Sequence, residues 1–423
     1  MQAILSIELG VFNGMLGGPD VYMWLVRALH LHEHGNWLDH VLSRVNPPDG
    51  YEQHWTRPFD MVLISGAWLG SAITEFGRSL FIWGALVSPV MEVLALFSFL
   101  WLVIPLLGNK ENGVAGILFV TQISIVSSFV AGRADHQSLI LLFFILSVGI
   151  GLRMLGRPFS RQVCYLAALV GALAIWVSVE SILFPLLTIF SFGLFWLFGN
   201  SGTTQKLFHY TVALFLLQLI FRVVEFGPSR LLEPALDQIS IVYITLFGLI
   251  ALFWTVVYGI ERYSDKNTRL PIKLSGAIIW AVGMAILLEY CFPGFFSGPW
   301  GGMDELFRQV HHLRVKELQP LMPLSAWSGG DWLDPLSSFS LWLGIIIPGI
   351  PVLLFLLFRS KGPMRLYWSF IGIHCLVYIP LSLNEVRWAD YAVILMLPGY
   401  TWFIVTLMKY ITEIYKGQGA GLI

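Results

Sequence analysis

Four short polar stretches carry the residue types that could do chemistry in this sequence. They are Gly17-Gly18-Pro19-Asp20-Val21-Tyr22, Gly132-Arg133-Ala134-Asp135-His136-Gln137, Val315-Lys316-Glu317-Leu318-Gln319-Pro320 and Asn384-Glu385-Val386-Arg387-Trp388-Ala389-Asp390-Tyr391. Asp20, Asp135 and Glu317 are carboxylates that repel one another if they converge, unless a cation joins them. Oxygen ligands of this kind suit Mg²⁺ or Mn²⁺, hard ions that keep some of their water. His136 and Gln137, next to Asp135, are further candidate ligands. Arg387 offers a planar fork of donors that matches a phosphate. Acids, a divalent cation and a phosphate-binding arginine together point to glycosyl-phosphate transfer chemistry.

Other candidates have competing structural readings. A lone Asp at a helix end is commonly a cap or a solvated anchor, and Arg387 could equally lie along the membrane interface. Glu180 ends an apolar run, Trp176-Val177-Ser178-Val179-Glu180, and an acid within a membrane segment is a functional candidate by default. His30, His32, His34 and His40 invite a zinc site, but no second converging ligand set accompanies them, so an interfacial helix face is preferred. The pair His311-His312 reads as a solvated loop.

These stretches must be positioned by something, and the composition says what. Of 423 residues, 57% are hydrophobic and only 12% charged, where a soluble globular chain carries about 25% charged. A net charge of -1 offers no basic surface for nucleic acid. Cys164, Cys291 and Cys375 lie in apolar runs, so neither a disulfide framework nor a cysteine-based metal cluster is written here. The expected fold class is an all-α polytopic membrane protein. Apolar runs near the ~20 residues that cross a bilayer occur at 80–107, 113–131, 137–153, 162–180, 181–198, 207–223, 238–260, 273–292, 338–358, 365–383 and 391–408. The run at 61–77 is shorter and reads as an interfacial helix. The apolar run at 2–16 is either an incomplete span or a partly embedded helix, and no cleavable signal peptide is read there.

Charge sets the expected orientation. The connector with Arg153, Arg157 and Arg161 and the one with Arg359, Lys361 and Arg365 each carry +3, whereas 20–60 carries -3 and 225–237 carries -2. Basic connectors stay cytoplasmic, so all four polar stretches fall on the external face. Two segments, 17–60 and 293–335, are too long to be turns and are rich in Trp, Pro, Gly and His; they read as ordered walls or lids of a site. The later one is expected to be external and to cover the site once substrate binds. One membrane domain over 1–423 is expected, with no soluble domain after Met408.

In their order and sidedness the four stretches resemble the catalytic subunit of oligosaccharyltransferases, within the GT-C class of polytopic glycosyltransferases. That family has an Asp after its first span, a second acidic motif (D-x-E or D-x-H) in a Gly-x-x-Asp context, a late-loop element ending in Glu and often continuing H-Q-P, and a late arginine that binds lipid pyrophosphate. The stretch Asn46-Pro47-Pro48-Asp49-Gly50 and then His54-Trp55-Thr56-Arg57-Pro58 also looks similar to the family's first loop. The resemblance implies a GT-C-like bundle of roughly 11–13 transmembrane helices with two long external loops. It implies a polyprenyl-linked sugar or oligosaccharide donor and a Mn²⁺ or Mg²⁺ cofactor. Asp20, Asp135, His136 and Gln137 become metal ligands, Asp20 and Glu317 acceptor-activating acids, and Arg387 the donor-phosphate group. Arg57 and Glu180 are possible additions. A multi-pass location in a prokaryotic inner membrane follows, with a lipid environment, an unassigned acceptor, a possible partner subunit and no nucleic acid.

The departures matter too. Gln137 stands where the family has Glu or His, which removes a charge from the ligand set and leaves His136 as a substitute. Arg314 replaces the usual Ser or Thr before Val315. No Trp-Trp-Asp run occurs, so the expectation is that this chain does not glycosylate sequon asparagines by itself. Trp327, in Trp327-Ser328-Gly329-Gly330-Asp331-Trp332, is the one candidate substitute within the chain. The alternatives are a monosaccharide transferase using polyprenyl monophosphate and, outside enzymes, a polyprenyl-lipid flippase or transporter. A transporter should hold its polar groups near the membrane midplane, whereas these acids cluster at span ends.

Overall fold

Apolar runs that long have one solution in a bilayer. Every backbone N–H and C=O must be paired within the segment, and a helix does this. The computed structural model describes residues 10–419 except 12, 110, 200, 201, 264–268 and 322–332. In chain order its α-helices are α1 (Pro19–His34), α2 (Arg57–Gly70), α3 (Phe76–Leu107), α4 (Asn112–Thr121), α5 (Ile123–Ser127), α6 (Gln137–Gly156), α7 (Arg161–Val177) and α8 (Leu183–Leu197). They continue as α9 (Thr203–Phe226), α10 (Ile241–Tyr263), α11 (Leu270–Cys291), α12 (Glu305–Arg314), α13 (Leu333–Leu343), α14 (Ile346–Arg359), α15 (Pro363–Asn384) and α16 (Ala389–Gly419). The strands among the described residues form one two-stranded antiparallel hairpin, β1 (Val41–Leu42) and β2 (Tyr51–Glu52), with Val41 opposite Glu52.

Among the described residues eight helices are long and apolar enough to cross a membrane, and a ninth crossing is formed if the bent pair 336–343 and 347–359 counts as one. The other expected spans take different forms. α7 is apolar but 17 residues long, at the short end for a crossing. The run at 113–131 is two pieces, because Gln122 adopts an extended conformation between α4 and α5. The expected interfacial segment at 61–77 is α2, which ends at Gly70, and α3 starts at Phe76. Residues 2–9 and 12 of the first apolar run lie outside the described residues. Large aliphatic side chains such as Ile279 and Ile286 on α11 and Leu216 and Ile220 on α9 are at least half exposed to the surroundings. Faces of this extent are untenable in water and natural against lipid tails. The chain is a multi-pass integral membrane protein.

By backbone proximity the chain divides into two compact units. The first unit comprises Gln2–Met91 and Val130–Arg308. In it α7 packs on α6 and α9, and α9 packs on α10, around Phe144, Phe184, Leu207 and Leu214. The second unit comprises Glu92–Phe129 and Gln309–Ile423. There α16 packs on α4, α14 and α15, with Phe119, Phe370, Ile371 and Val393 fully buried. The expected first loop is largely ordered structure: α1, the hairpin and the start of α2. Pro19 occupies the first turn of α1, and Gly35 closes the helix in the left-handed region, its N–H donating to Leu31 O at 2.9 Å.

Candidate functional site

Each unit brings two of the four polar stretches together. In the first unit the Gly17 N–H donates to Gly132 O at 2.9 Å, and the Gly132 N–H donates to Ala85 O at 2.9 Å. Gly132 has φ 84°, a left-handed conformation that a side chain resists. The Ser88 hydroxyl donates to Arg133 O. The Gly-Gly-Pro-Asp segment that opens α1 is thereby tied to the Gly-Arg-Ala-Asp segment that opens α6. Asp20 lies in the first turn of α1 and is exposed.

Asp135 is the best-defined group of the set. Its Oδ1 accepts from His136 Nδ1 at 2.7 Å and faces the Gln137 N–H at 3.4 Å. Its Oδ2 faces Arg133 Nη2 at 3.5 Å. Burial alone would raise the Asp135 carboxyl, but the charge and hydrogen bond of His136 and the charge of Arg133 outweigh it and hold the group well below the usual carboxylate range. It is an ionised acceptor at any physiological pH. The His136 ring lies 5.3 Å from Trp24 and 6.2 Å from Trp55, and those two indoles stack on each other at 4.5 Å. Gln137 is the first residue of α6.

Behind this corner lies a set of buried charges. Asp60 Oδ2 accepts from Arg27 Nη2 at 2.8 Å and from Arg57 Nη1 at 3.1 Å. Arg57 also donates through Nε to Trp37 O at 3.1 Å and through Nη2 to Asp39 O. The Arg57 N–H reaches Glu225 Oε1 at 2.9 Å, and Trp176 Nε1 reaches Glu225 Oε2 at 2.6 Å. Arg27, Asp60, Arg57 and Glu225 are all at most 2% exposed. His40 packs beside them with Nε2 at 3.3 Å from Glu225 O. Its pKa is lowered to about 3 by burial and then by the charge of Arg57. Arg57, a possible site residue by sequence, therefore has its donors committed inside the fold. Glu180 lies at the first turn of the Val179–Leu197 span, beside Val179, which packs on Val242 and Tyr243.

The second unit joins the other two stretches. The Val386 N–H donates to Gln319 O at 3.1 Å, and Gln319 Nε2 donates to Leu313 O at 2.9 Å. Glu317 sits on a single 3₁₀ turn, Lys316–Leu318, and is exposed while Leu318 is buried. Arg387 Nε donates to Glu385 Oε2 at 2.7 Å, and Trp388 Nε1 reaches the same oxygen at 3.1 Å. The Ser128 hydroxyl donates to Asp390 Oδ2 at 2.6 Å. Trp327 lies outside the described residues.

Among the described residues no three His, Cys, Asp or Glu side chains converge as a metal-binding group. A Mg²⁺-type ion asks for less, one or two carboxylates with water and phosphate oxygens supplying the rest. Asp20 and Asp135, on segments tied by the Gly17–Gly132 bond, fit that smaller demand in donor chemistry. The histidines of α1 do not form a zinc cluster there: His34 Nδ1 is 3.0 Å from His30 O, those two rings stack at 4.2 Å, and His32 stacks on Phe76. The sequence reading missed Arg27, Asp60, Glu225 and the Trp24–Trp55 stack. Arg27 left one signal, a cation on the same helical stripe as Trp24, Ala28 and Leu31.

This architecture has solved counterparts. The archaeal oligosaccharyltransferase AglB from Archaeoglobus fulgidus, in complex with an inhibitory peptide and a dolichol-phosphate, superposes with a TM-score of 0.71 over 99% of this chain and 51% of its own, at 13% identity. The chain has an oligosaccharyltransferase fold. Two further A. fulgidus oligosaccharyltransferase structures share it. One is tethered to an acceptor peptide containing the NVT sequon (TM-score 0.70, 14% identity, 96% of this chain and 49% of that one). The other is a complex with Zn and sulfate (TM-score 0.63, 14% identity, 94% and 46%). This chain spans about half the length of those oligosaccharyltransferases. No family model matches it, and no curated protein matches it in sequence.

Proposed function

We propose that this protein is a membrane glycosyltransferase that moves a sugar or oligosaccharide from a polyprenyl-(pyro)phosphate donor to an acceptor on the external face of the membrane. The observation that carries the reading is the coincidence of an oligosaccharyltransferase fold over 99% of the chain with four polar stretches in that family's order. A. fulgidus AglB was solved with a dolichol-phosphate and with peptides, so a polyprenyl-linked donor and a peptide acceptor are the substrates to try first.

In this reading Asp20, Asp135, His136 and Gln137 hold a divalent cation, Mn²⁺ or Mg²⁺, which when bound supplies positive charge to the leaving phosphate. Arg387, oriented by Glu385, grips a donor phosphate oxygen with its planar fork. Glu317 and Asp20 accept hydrogen bonds from the incoming nucleophile, fixing its orientation and drawing off its proton. The buried Arg27–Asp60–Arg57 set does no chemistry; it holds the first loop so that α1 and α6 keep Asp20 and Asp135 in place.

Purified protein, a fluorescent lipid-linked donor and peptides with Asn-x-Thr or Asn-x-Ala test this. Transfer, or donor hydrolysis where the acceptor is wrong, should fall about a hundredfold or more in Asp135→Ala and Arg387→Ala, the scale of losing one stabilising group for developing charge. Transfer that survives both substitutions with chelator present sinks the assignment. A polyprenyl-monophosphate donor serves as the second arm.

A further inference from the structure

We propose that the cleft between α8, α10 and α11 binds an anionic phospholipid, with an acyl chain in the cleft and the phosphate on Arg269 and Lys273 at its rim. The cleft has a volume of about 500 Å³, within the ~300–1,000 Å³ range of small-molecule sites. The residues that line it are all apolar, and among them Phe190, Leu274 and Ile278 are exposed to the surroundings. It therefore opens towards lipid. Two pins keep α11 standing off its neighbours. Lys273 Nζ faces Glu261 Oε1 at 3.3 Å, and further along α11 Trp280 Nε1 donates to Leu249 O at 3.2 Å. Between the pins Ala277 is too short to close the gap, and on α8 the facing position is Gly193. The wall behind is stiff: Trp196 meets Trp254 edge-on at 5.3 Å, and Phe253 does so at 4.9 Å. A gap lined in this way offers water none of the polar partners it needs. Dispersion favours filling it with hydrocarbon.

The rim of the cleft lies at the end of the first unit away from Asp135. There Lys206 Nζ, on the first turn of α9, donates to Met154 O at 2.6 Å and Arg157 O at 2.8 Å, at the far end of α6. Thr204, on the same turn, donates to Glu261 Oε2 at 2.5 Å, and Trp196 Nε1 donates to Glu261 Oε1 at 2.6 Å. The site is thus separate from the transfer chemistry proposed above, which in this unit uses the Asp135 end. Charge selects the headgroup. Arg262, Arg269 and Lys273 against Glu261 leave two positive charges in excess at this rim. An ammonium has three donors, and the Glu261 oxygen uses one. The Lys273 N–H donates to Arg269 O at 3.2 Å, which places the two cations one helical turn apart. Arg269 is exposed, and Lys273 lies inward of it, 4.9 Å over the Trp196 ring. Cations at the mouth of an apolar cleft, with an indole at the boundary, match a phosphate ester on a hydrocarbon tail. The orientation set by the basic connectors puts this end in the cytoplasmic leaflet, where basic pockets between membrane helices take anionic headgroups.

The test is native mass spectrometry of the full chain released from detergent micelles, with dioleoylphosphatidylglycerol and dioleoylphosphatidylcholine as probes. Phosphatidylglycerol should fill one saturable site about tenfold more tightly than phosphatidylcholine. R269Q and K273Q should each weaken phosphatidylglycerol about fivefold, the effect of one cation near the membrane surface, and phosphatidylcholine by less. Ala277→Phe, whose ring fills the gap, should weaken both lipids. R359Q, a basic residue of the other unit, should change neither. Because Arg269 is exposed, R269Q keeps the test open if K273Q folds poorly. Equal affinity for the two lipids, or phosphatidylglycerol binding unchanged in R269Q, overturns the headgroup assignment. Binding unchanged in Ala277→Phe puts the acyl chain elsewhere and overturns the cleft. A polyprenyl phosphate that binds more tightly than phosphatidylglycerol, and is lost in the same variants, gives the cleft to the donor and overturns the phospholipid.

Discussion

The two units hold their polar stretches by different means. In the first unit the joint between the Asp20 and Asp135 stretches is backed by Arg27, Asp60, Arg57 and Glu225, all but sealed from the surroundings and cross-paired. In the second unit the joint between the Glu317 and Arg387 stretches is a backbone bond, Val386 to Gln319, beside stacked rings, Tyr378 on Tyr391 at 5.3 Å with Trp388 next to them. Its ion pair, Arg387 with Glu385, is partly exposed, at 18% and 14%. The contrast teaches how to sort charged residues at a membrane edge. Arg57 and Arg387 look alike in sequence, yet one is fully buried with its donors committed to the fold, while the other is exposed enough to meet a ligand.

The contrast can be broken by substitution. The largest effect is expected at Asp60. Asp60→Ala leaves Arg27 and Arg57 buried without their shared carboxylate, and such a loss costs about 3–5 kcal/mol. Denaturation in detergent should show it as a sharply lower midpoint, and an unchanged midpoint would mean the buried set is not what secures the first unit. The second unit should respond less. Ser128→Ala removes one hydroxyl bond to Asp390, about 1.5–3 kcal/mol for a charged acceptor. A larger loss there than at Asp60 would reverse the comparison.

Acid should act on the first unit as well. His40 has a folded pKa of about 3 against an ordinary value of 6.5. Between those values the unfolded chain binds a proton that the folded one refuses, so stability is complete above pH 6.5 and is lost as the pH falls towards 3. By pH 5 about 2 kcal/mol of stability has been lost. His40→Gln should flatten the melting profile between pH 7 and 5; an equally steep profile would place the acid sensitivity elsewhere. The smallest effect belongs to the surface of the same unit. Glu52→Gln breaks an exposed pair with Arg230 at 2.6 Å, where Glu233 also holds the guanidinium. Less than about 1 kcal/mol is expected, the range of exposed pairs, so a fall in midpoint as large as that of Asp60→Ala would show that burial is not the deciding variable.

Much of the fold was legible because it is local. A run of apolar residues without charges must be a helix in lipid, and α6, α9, α10, α11 and α15 fall close to where those runs begin and end. What failed was local in appearance only. The run at 113–131 reads as one span, yet Gln122 is extended and splits it, because a break costs backbone pairing that neighbouring packing can restore. The first loop read as a wall and contains a helix, for which Pro19 and Gly35 were the signals.

For the site, the sequence by itself determined residue types, their order and their placement at span ends, since hydropathy and charge are properties of short windows. It also exposed Gln137 at the place where the family it resembles carries Glu or His. Only the tertiary structure decided which charges are spent on holding the fold. The partners of Asp60, Arg57 and Glu225 come from α1, α7, α9 and the first loop, and no window of sequence contains them together. The same is true of the Gly17–Gly132 bond, which joins segments far apart in the chain. Burial turns a charge into a structural element only when a specific opposite partner arrives from elsewhere, and that arrival is a property of packing.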